Sequence, residues 1–138
     1  MQQKRPDQTA QSTLIEGDLS ALVLKAFYKT YNVLGFGFLE SIYRRAMLIE
    51  LRKAGVVATS EVPMDVFYED EEVGHFKLDI LVEGRLAVEL KATAVLGPTD
   101  KRQLINYLKA GRLDVGLLLH YGPDPVFHRL LNPKYGVQ

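Results

Sequence analysis

Cysteine is absent from the 138 residues, which excludes disulfides and cysteine-ligated zinc or iron–sulfur sites and leaves oxygen donors or histidine for any metal. No run of 18 or more apolar residues occurs, and the polar opening over residues 1–13 has no signal-type apolar core, so a cytoplasmic protein without a membrane span is expected. Net charge is also missing, because 17 basic residues balance 17 acidic ones. Bulk electrostatics therefore argue against tight non-specific binding to nucleic acid, and such a role needs a local basic surface. Gly-rich phosphate cradles and Ser/His/Asp hydrolase signatures are lacking, which leaves nucleotide-driven work and acyl transfer without support. Internal repeats and low-complexity tracts are lacking as well.

What is present fits one compact domain, since a 47% hydrophobic fraction can build a single core at this length. Residues 1–13 are expected to form a mobile tail and 14–138 the domain. Asp18 is expected to cap a helix over 19–34, with Leu22, Val23, Ala26, Phe27 and Tyr31 facing inward, and Gly35 and Gly37 separate it from a second helix that runs to about Lys53. Residues 56–63 and 64–68 read as two strands or one bent strand, 69–74 as an acidic turn, and 114–120 and 126–130 as strands. The order α-α-β-β-β-β-α-β-β predicts an α/β (α+β) architecture, a mixed sheet flanked by helices with a buried central strand at 115–119.

Chemistry concentrates in residues 79–91. Side chains alternate along a strand, so His75, Lys77, Asp79 and Leu81 are expected on one face and Phe76, Leu78, Ile80 and Val82 on the other. The next strand divides the same way, and Glu89 and Lys91 project together. A two-residue Glu83-Gly84 loop would put Asp79 and Glu89 on opposite faces. A three-residue loop, Glu83-Gly84-Arg85, pairs them and keeps both apolar faces together, so the odd loop or a bulge is predicted. Two close carboxylates attract a hard cation such as Mg²⁺ or Mn²⁺. Lys91 would then orient or help deprotonate the attacking water and balance phosphate charge, with the Leu90 carbonyl as a further oxygen donor. A solvated hairpin carries the same residue types as cross-strand ion pairs.

Two helices bear on that choice. Leu39, Ile42, Tyr43, Ala46, Met47, Ile49 and Leu51 cover a broad apolar arc of the second helix at about 100° per residue. Glu40 falls inside this arc, and a buried unpaired charge is costly, so it needs a partner such as a metal or Lys91. Glu50 also lies within the arc, where a salt bridge would serve. The third helix opens with Pro98 and a Thr99 cap, ends at Gly111, and puts Gln103 and Tyr107 on one face, where they could hold a phosphate, a base or a water.

Together Asp79, the Glu89-Leu90-Lys91 tripeptide and the Gln103 to Tyr107 pair resemble the RecB-like branch of the PD-(D/E)XK nuclease superfamily, and Gly37, Glu40 and Tyr43 look like the signature of its small bacterial GxxExxY family. The resemblance spans residues 15–133 and implies a restriction-endonuclease-like core. It implies that Asp79, Glu89, Leu90 and Glu40 hold Mg²⁺ or Mn²⁺, that Lys91 is the catalytic lysine, and that Gln103 and Tyr107 support it. Leu78 stands where the superfamily name expects proline. The function implied is a metal-dependent nuclease acting on DNA more readily than RNA, with a protein partner supplying specificity. The alternative is a nuclease-fold subunit or homodimer for binding or assembly.

The remaining polar residues receive quieter readings. Arg44, Arg45, Arg52 and Lys53, and Lys101, Arg102 and Lys109, are the candidate basic surfaces. His75 reads as an edge residue, His120 and His128 as structural or solvated. Asp65, Glu69, Asp70, Glu71 and Glu72 lack calcium-loop spacing and read as a solvated turn.

Overall fold

Helix α1 (Gly17–Leu34) ends where Gly35 turns to φ 73° and donates its N–H to the Tyr31 carbonyl at 2.7 Å. The computed structural model describes residues 15–135, so the expected tail over 1–13 lies outside them. Asp18 does not cap α1; the cap position belongs to Glu16 in a left-handed conformation, and Asp18 sits in the first turn, where its charge still suits the helix dipole. Val23 and Phe27 are fully buried, whereas Leu22 is exposed. Helix α2 (Glu40–Lys53) buries Tyr43, Met47, Leu48 and Leu51. That stripe is narrower than the apolar arc, for Leu39, Ile42 and Ile49 face outward.

Three strands follow before the next helix. Of the two readings of 56–68, two strands or one bent strand, the second holds as β1 (Ala58–Tyr68), with Pro63 opposite Lys77 of β2 (Glu71–Val82). An edge strand accommodates the missing proline N–H, and β1 lies at the sheet edge. Glu69 and Asp70, both at positive φ, make the β1–β2 turn, and its acidic run is exposed as expected. Strand β3 (Leu86–Lys91), helix α3 (Asp100–Gly111), β4 (Val115–Tyr121) and β5 (Pro125–Leu131) complete the sheet, with a short 3-10 turn at Pro133–Tyr135. The strand order is β1-β2-β3-β4-β5, antiparallel except for the β3–β4 pair, which α3 connects as a crossover.

The two faces carry separate cores. One unites α1 and α2 with Ile80, Val82, Leu86, Val88, Leu90, Val115, Leu117 and Leu119. At its centre Tyr121 stacks on Tyr43 at 4.1 Å, meets Phe27 edge-on at 4.9 Å and shares a 2.8 Å hydrogen bond with the Thr30 hydroxyl. The other unites α3 with Leu78, Ala87 and Leu118. A Cβ on Gly116 would lie 3.1 Å from Leu104 and 3.2 Å from Leu108, so this bare backbone lets α3 settle on the sheet.

The assignment of Phe76, Leu78, Ile80 and Val82 to one face does not hold. Phe76 and Leu78 pack toward α3, Ile80 and Val82 toward α1 and α2. The phase changes at Asp79, opposite which Glu61 of β1 takes φ 51° between the Ser60–Ile80 and Val62–Leu78 pairs. Thr99 makes no side-chain cap for α3; the Asp100 carboxylate instead reaches back to the Gly97 N–H at 2.7 Å.

Candidate active site

The β2–β3 loop is the three-residue connection that the apolar pattern demanded. Val82 pairs with Leu86, Leu81 with Ala87 and Ile80 with Val88, while Glu83 and Gly84 turn at φ 53° and 67°. Continuing that register sets Asp79 opposite Glu89, and there the backbone ladder gives way to side chains. The Asp79 N–H donates to Glu89 Oε1 at 3.2 Å, and the Leu90 N–H donates to Asp79 Oδ2 at 2.8 Å. Each carboxylate thus occupies a backbone donor on or beside the other's strand, and both are buried. Strand β3 keeps its parallel pairing with β4 out to Lys91 and His120, so the divergence belongs to β2.

Helix α2 brings the third carboxyl. The Tyr43 hydroxyl donates to the Gly35 carbonyl at 2.5 Å and accepts the Phe38 N–H at 3.1 Å, tying down the loop between α1 and α2. Glu40, one turn before Tyr43, is half-buried beside Asp79. Burial first, then hydrogen bonding and charge from Asp79, push its carboxyl up to about 7, while Lys91 and Arg44 pull the other way. Glu89 is pushed up to about 9, again by burial first and then by the Asp79 charge. Arg44, one turn beyond Glu40, lies 3.6 Å from Asp79 Oδ1 and 3.1 Å from Glu61 Oε1. Glu50 makes no part of this cluster and pairs with Lys29 at 2.9 Å.

Lys91 projects beside Glu89 and is held from the α3 side, with Nζ 3.3 Å from Gln103 Oε1 and 3.8 Å from an Asp100 oxygen. Tyr107 lies buried one turn along, stacked on Phe76 at 3.9 Å. Burial, then the charges of Glu89 and Asp79, raise its phenol to about 12, so it remains a donor. All six sequence-predicted side chains therefore gather where α2, the β2–β3 divergence and α3 meet. Sequence reasoning missed Arg44 and Asp100 as neighbours of the site. The sequence groups Arg44 with the surface bases, although its four-residue spacing from Glu40 is a usable signal. His75 pairs with Asp65 on the exposed hairpin, and buried His120 contacts the Thr93 carbonyl at 2.6 Å.

A family model described as the PD-(D/E)XK nuclease superfamily matches residues 17–130. The chain belongs to the PD-(D/E)XK nuclease superfamily. Its five-stranded mixed sheet with helices on both faces is the restriction-endonuclease-like fold expected of a member. A solved structure titled "Crystal structure of SSO0001" is similar in fold, with a TM-score of 0.54 at 16% identity over 96% of this chain and 70% of that one. No curated protein matches the sequence. Superfamily membership associates the chain with nuclease chemistry on nucleic acid, and such nucleases typically use divalent metals. Among the described residues no helix is long and apolar enough to cross a membrane.

The donor set suits such a metal. Among the described residues no three acidic, cysteine or histidine side chains form a ready cage, and Mg²⁺ does not require one, since it keeps several waters and takes one or two protein carboxylates. A buried Glu89 carboxyl pushed up by burial and by the neighbouring Asp79 charge is the electrostatic environment a hard cation relieves.

Proposed function

We propose that this protein is a Mg²⁺- or Mn²⁺-dependent nuclease that hydrolyses phosphodiester bonds, in DNA more readily than in RNA, and that it falls in the RecB-like branch with the small GxxExxY group. The observation that carries the reading is the reciprocal latching of buried Asp79 and Glu89 where β2 leaves β3, with Lys91 on the same strand. A hairpin carrying these residues for solubility alone would leave them exposed.

In this reading Asp79 and Glu89 are the principal ligands, with Glu40 and the Leu90 carbonyl completing the oxygen donors. The bound cation supplies Lewis-acid stabilisation of charge on the phosphate and acidifies water. Lys91, aimed by Gln103 and Asp100, donates to a phosphate oxygen or the attacking water and offsets the charge that develops in-line. Tyr107, kept protonated by its buried acidic surroundings, donates with Gln103 to the substrate. Glu40, pushed up to about 7, gives up its proton as it joins the oxygen donors, so its contribution grows as pH rises through neutrality. Arg44 holds Asp79 and Glu61 together, which fixes α2 against the sheet.

The test is cleavage of labelled single- and double-stranded DNA and RNA with Mg²⁺ or Mn²⁺ by wild type, Glu89→Gln and Lys91→Ala protein prepared identically. Metal-dependent cleavage lost in both variants is expected. A silent wild type, or variants that cut equally well, would transfer the weight to a binding or assembly subunit.

A further inference from the structure

Beside the site, between α3 and the β1–β2 arm, lies a groove of about 650 Å³ whose walls include Phe67, Phe76, Asn106, Tyr107, Lys109 and Arg112. We propose that this groove holds unpaired nucleotides adjoining the scissile phosphate, a specificity for single-stranded or frayed nucleic acid that rests on the nuclease reading above.

The groove is continuous with the site through Gln103 and Tyr107. Gln103 lines it while its Oε1 accepts from Lys91 Nζ at 3.3 Å. A strand whose phosphate lay at Lys91 could therefore run along α3, past Asn106 and on to Lys109 and Arg112. Both cations are exposed, and among the described residues neither makes an ion pair, so their charge is available to phosphates. Asp65, the acidic member of the wall, is occupied by His75 at 2.8 Å.

The opposite wall is formed by the end of β1 and by β2, where Val66, Phe67 and Phe76 line the groove. The β1–β2 register shifts beside them, with Val73 the extra residue on β2, and such a bulge increases the local twist of the arm. Phe67 is left 62% exposed and lines the same groove as the stacked Phe76–Tyr107 pair. Bases stack on aromatic faces in single strands, whereas a paired and stacked base has no face to offer. A zero net charge also suits this choice better than tracking a duplex, which relies on many cations.

Binding can be read without cleavage, in EDTA, by fluorescence anisotropy of labelled oligo(dT) and of a blunt duplex of equal length. Phe67 is a surface residue, and a thermal melt confirms that Phe67→Ala remains folded. Phe67→Ala should weaken oligo(dT) binding about tenfold and leave the duplex unaffected. Lys109→Ala with Arg112→Ala should flatten the salt slope for oligo(dT) by roughly 1.4. Oligo(dT) affinity that is equal in wild type and variants, or no better than for the duplex, overturns the groove even if the enzyme cuts. Groove-dependent binding without metal-dependent cleavage would instead sink the nuclease reading and leave the groove as a binding site.

Discussion

Replacing Glu89 by glutamine should make the metal-free protein more stable at pH 8 while abolishing its response to Mg²⁺. Glutamine keeps an oxygen to accept the Asp79 N–H and adds an amide that can donate to the Asp79 carboxylate, but it carries no charge. Glu89 is about 4.5 in the unfolded chain and about 9 in the fold. At pH 8 the folded chain therefore keeps a proton that the unfolded chain releases, and each tenfold difference is worth about 1.4 kcal/mol. The ceiling on the penalty is about 5 kcal/mol. Part of that rise is lent by the neighbouring Asp79 charge rather than by burial, so roughly half, about 2–3 kcal/mol, is taken as the gain from glutamine. For a chain of this length that corresponds to a gain in Tm of roughly 5–10 °C.

The pH profile carries the sign. A carboxyl whose folded value is raised gives stability that is complete below about 4.5 and is lost as pH climbs toward the folded value. Wild type should therefore melt progressively lower from pH 5 to 9. The variant should fall more gently, through Glu40 alone, and level off above about pH 7. The two curves should coincide near pH 5 and be furthest apart near pH 9. Thermal melts across this range without metal, repeated with Mg²⁺, measure both effects. A variant that melts at or below wild type at pH 8, a gap largest at pH 5, or an unchanged Mg²⁺ shift would refute the reasoning.

Three further perturbations separate the roles. Lys91→Ala should cut cleavage at least about a hundredfold yet keep the Mg²⁺-induced rise in Tm, since both carboxylates remain; loss of the rise would make Lys91 part of the metal's support. Glu40→Gln should remove the part of the Mg²⁺ response that strengthens as pH passes about 7, seen by titrating metal at pH 6 and 8; an undiminished pH dependence would take Glu40 out of the donor set. Tyr43→Phe leaves the Phe38 N–H and Gly35 carbonyl without their partner, which should cost about 1–3 kcal/mol in denaturant melts and lower cleavage through a misplaced Glu40. A stable variant with full activity would show that the loop does not set the position of α2.

The register of the β2–β3 hairpin was legible because two apolar faces had to be satisfied at once, and only an odd loop keeps Leu86, Val88 and Leu90 with Ile80 and Val82 while pairing Asp79 with Glu89. The approach of Glu40 was legible for a related reason: a carboxylate within an apolar arc needs a partner. The phase change between Leu78 and Ile80 left no such trace, since its structural counterpart is the left-handed Glu61, a residue type with no special preference for that conformation. Leu39 and Ile42 misled because an apolar arc can exceed the stripe a neighbour covers. The cap of α1 misled because Glu16 and Asp18 both carry polar side chains near the helix start, and only the backbone course decides between them; at α3 Thr99 takes the cap position as expected, without a side-chain bond.

The same latching that assembles the site decides which variants can test it. Asp79 and Glu89 accept from the Leu90 and Asp79 N–H groups, at the point where β2 stops exchanging backbone bonds with β3. Alanine at either position would strand a buried donor at a cost of about 1–3 kcal/mol, so β2 could close on β3 or the arm could loosen. Lost activity would then report on the backbone as much as on the chemistry. Asparagine at 79 and glutamine at 89 keep the acceptors and remove only charge. If the carboxylates serve merely as caps for diverging strands, Asp79→Asn and Glu89→Gln proteins should fold, bind nucleic acid and respond to metal like wild type. If they hold the cation, Glu89→Gln should fold at least as well as wild type, Asp79→Asn somewhat less well for want of the Arg44 ion pair, and both should lose the metal response together with cleavage.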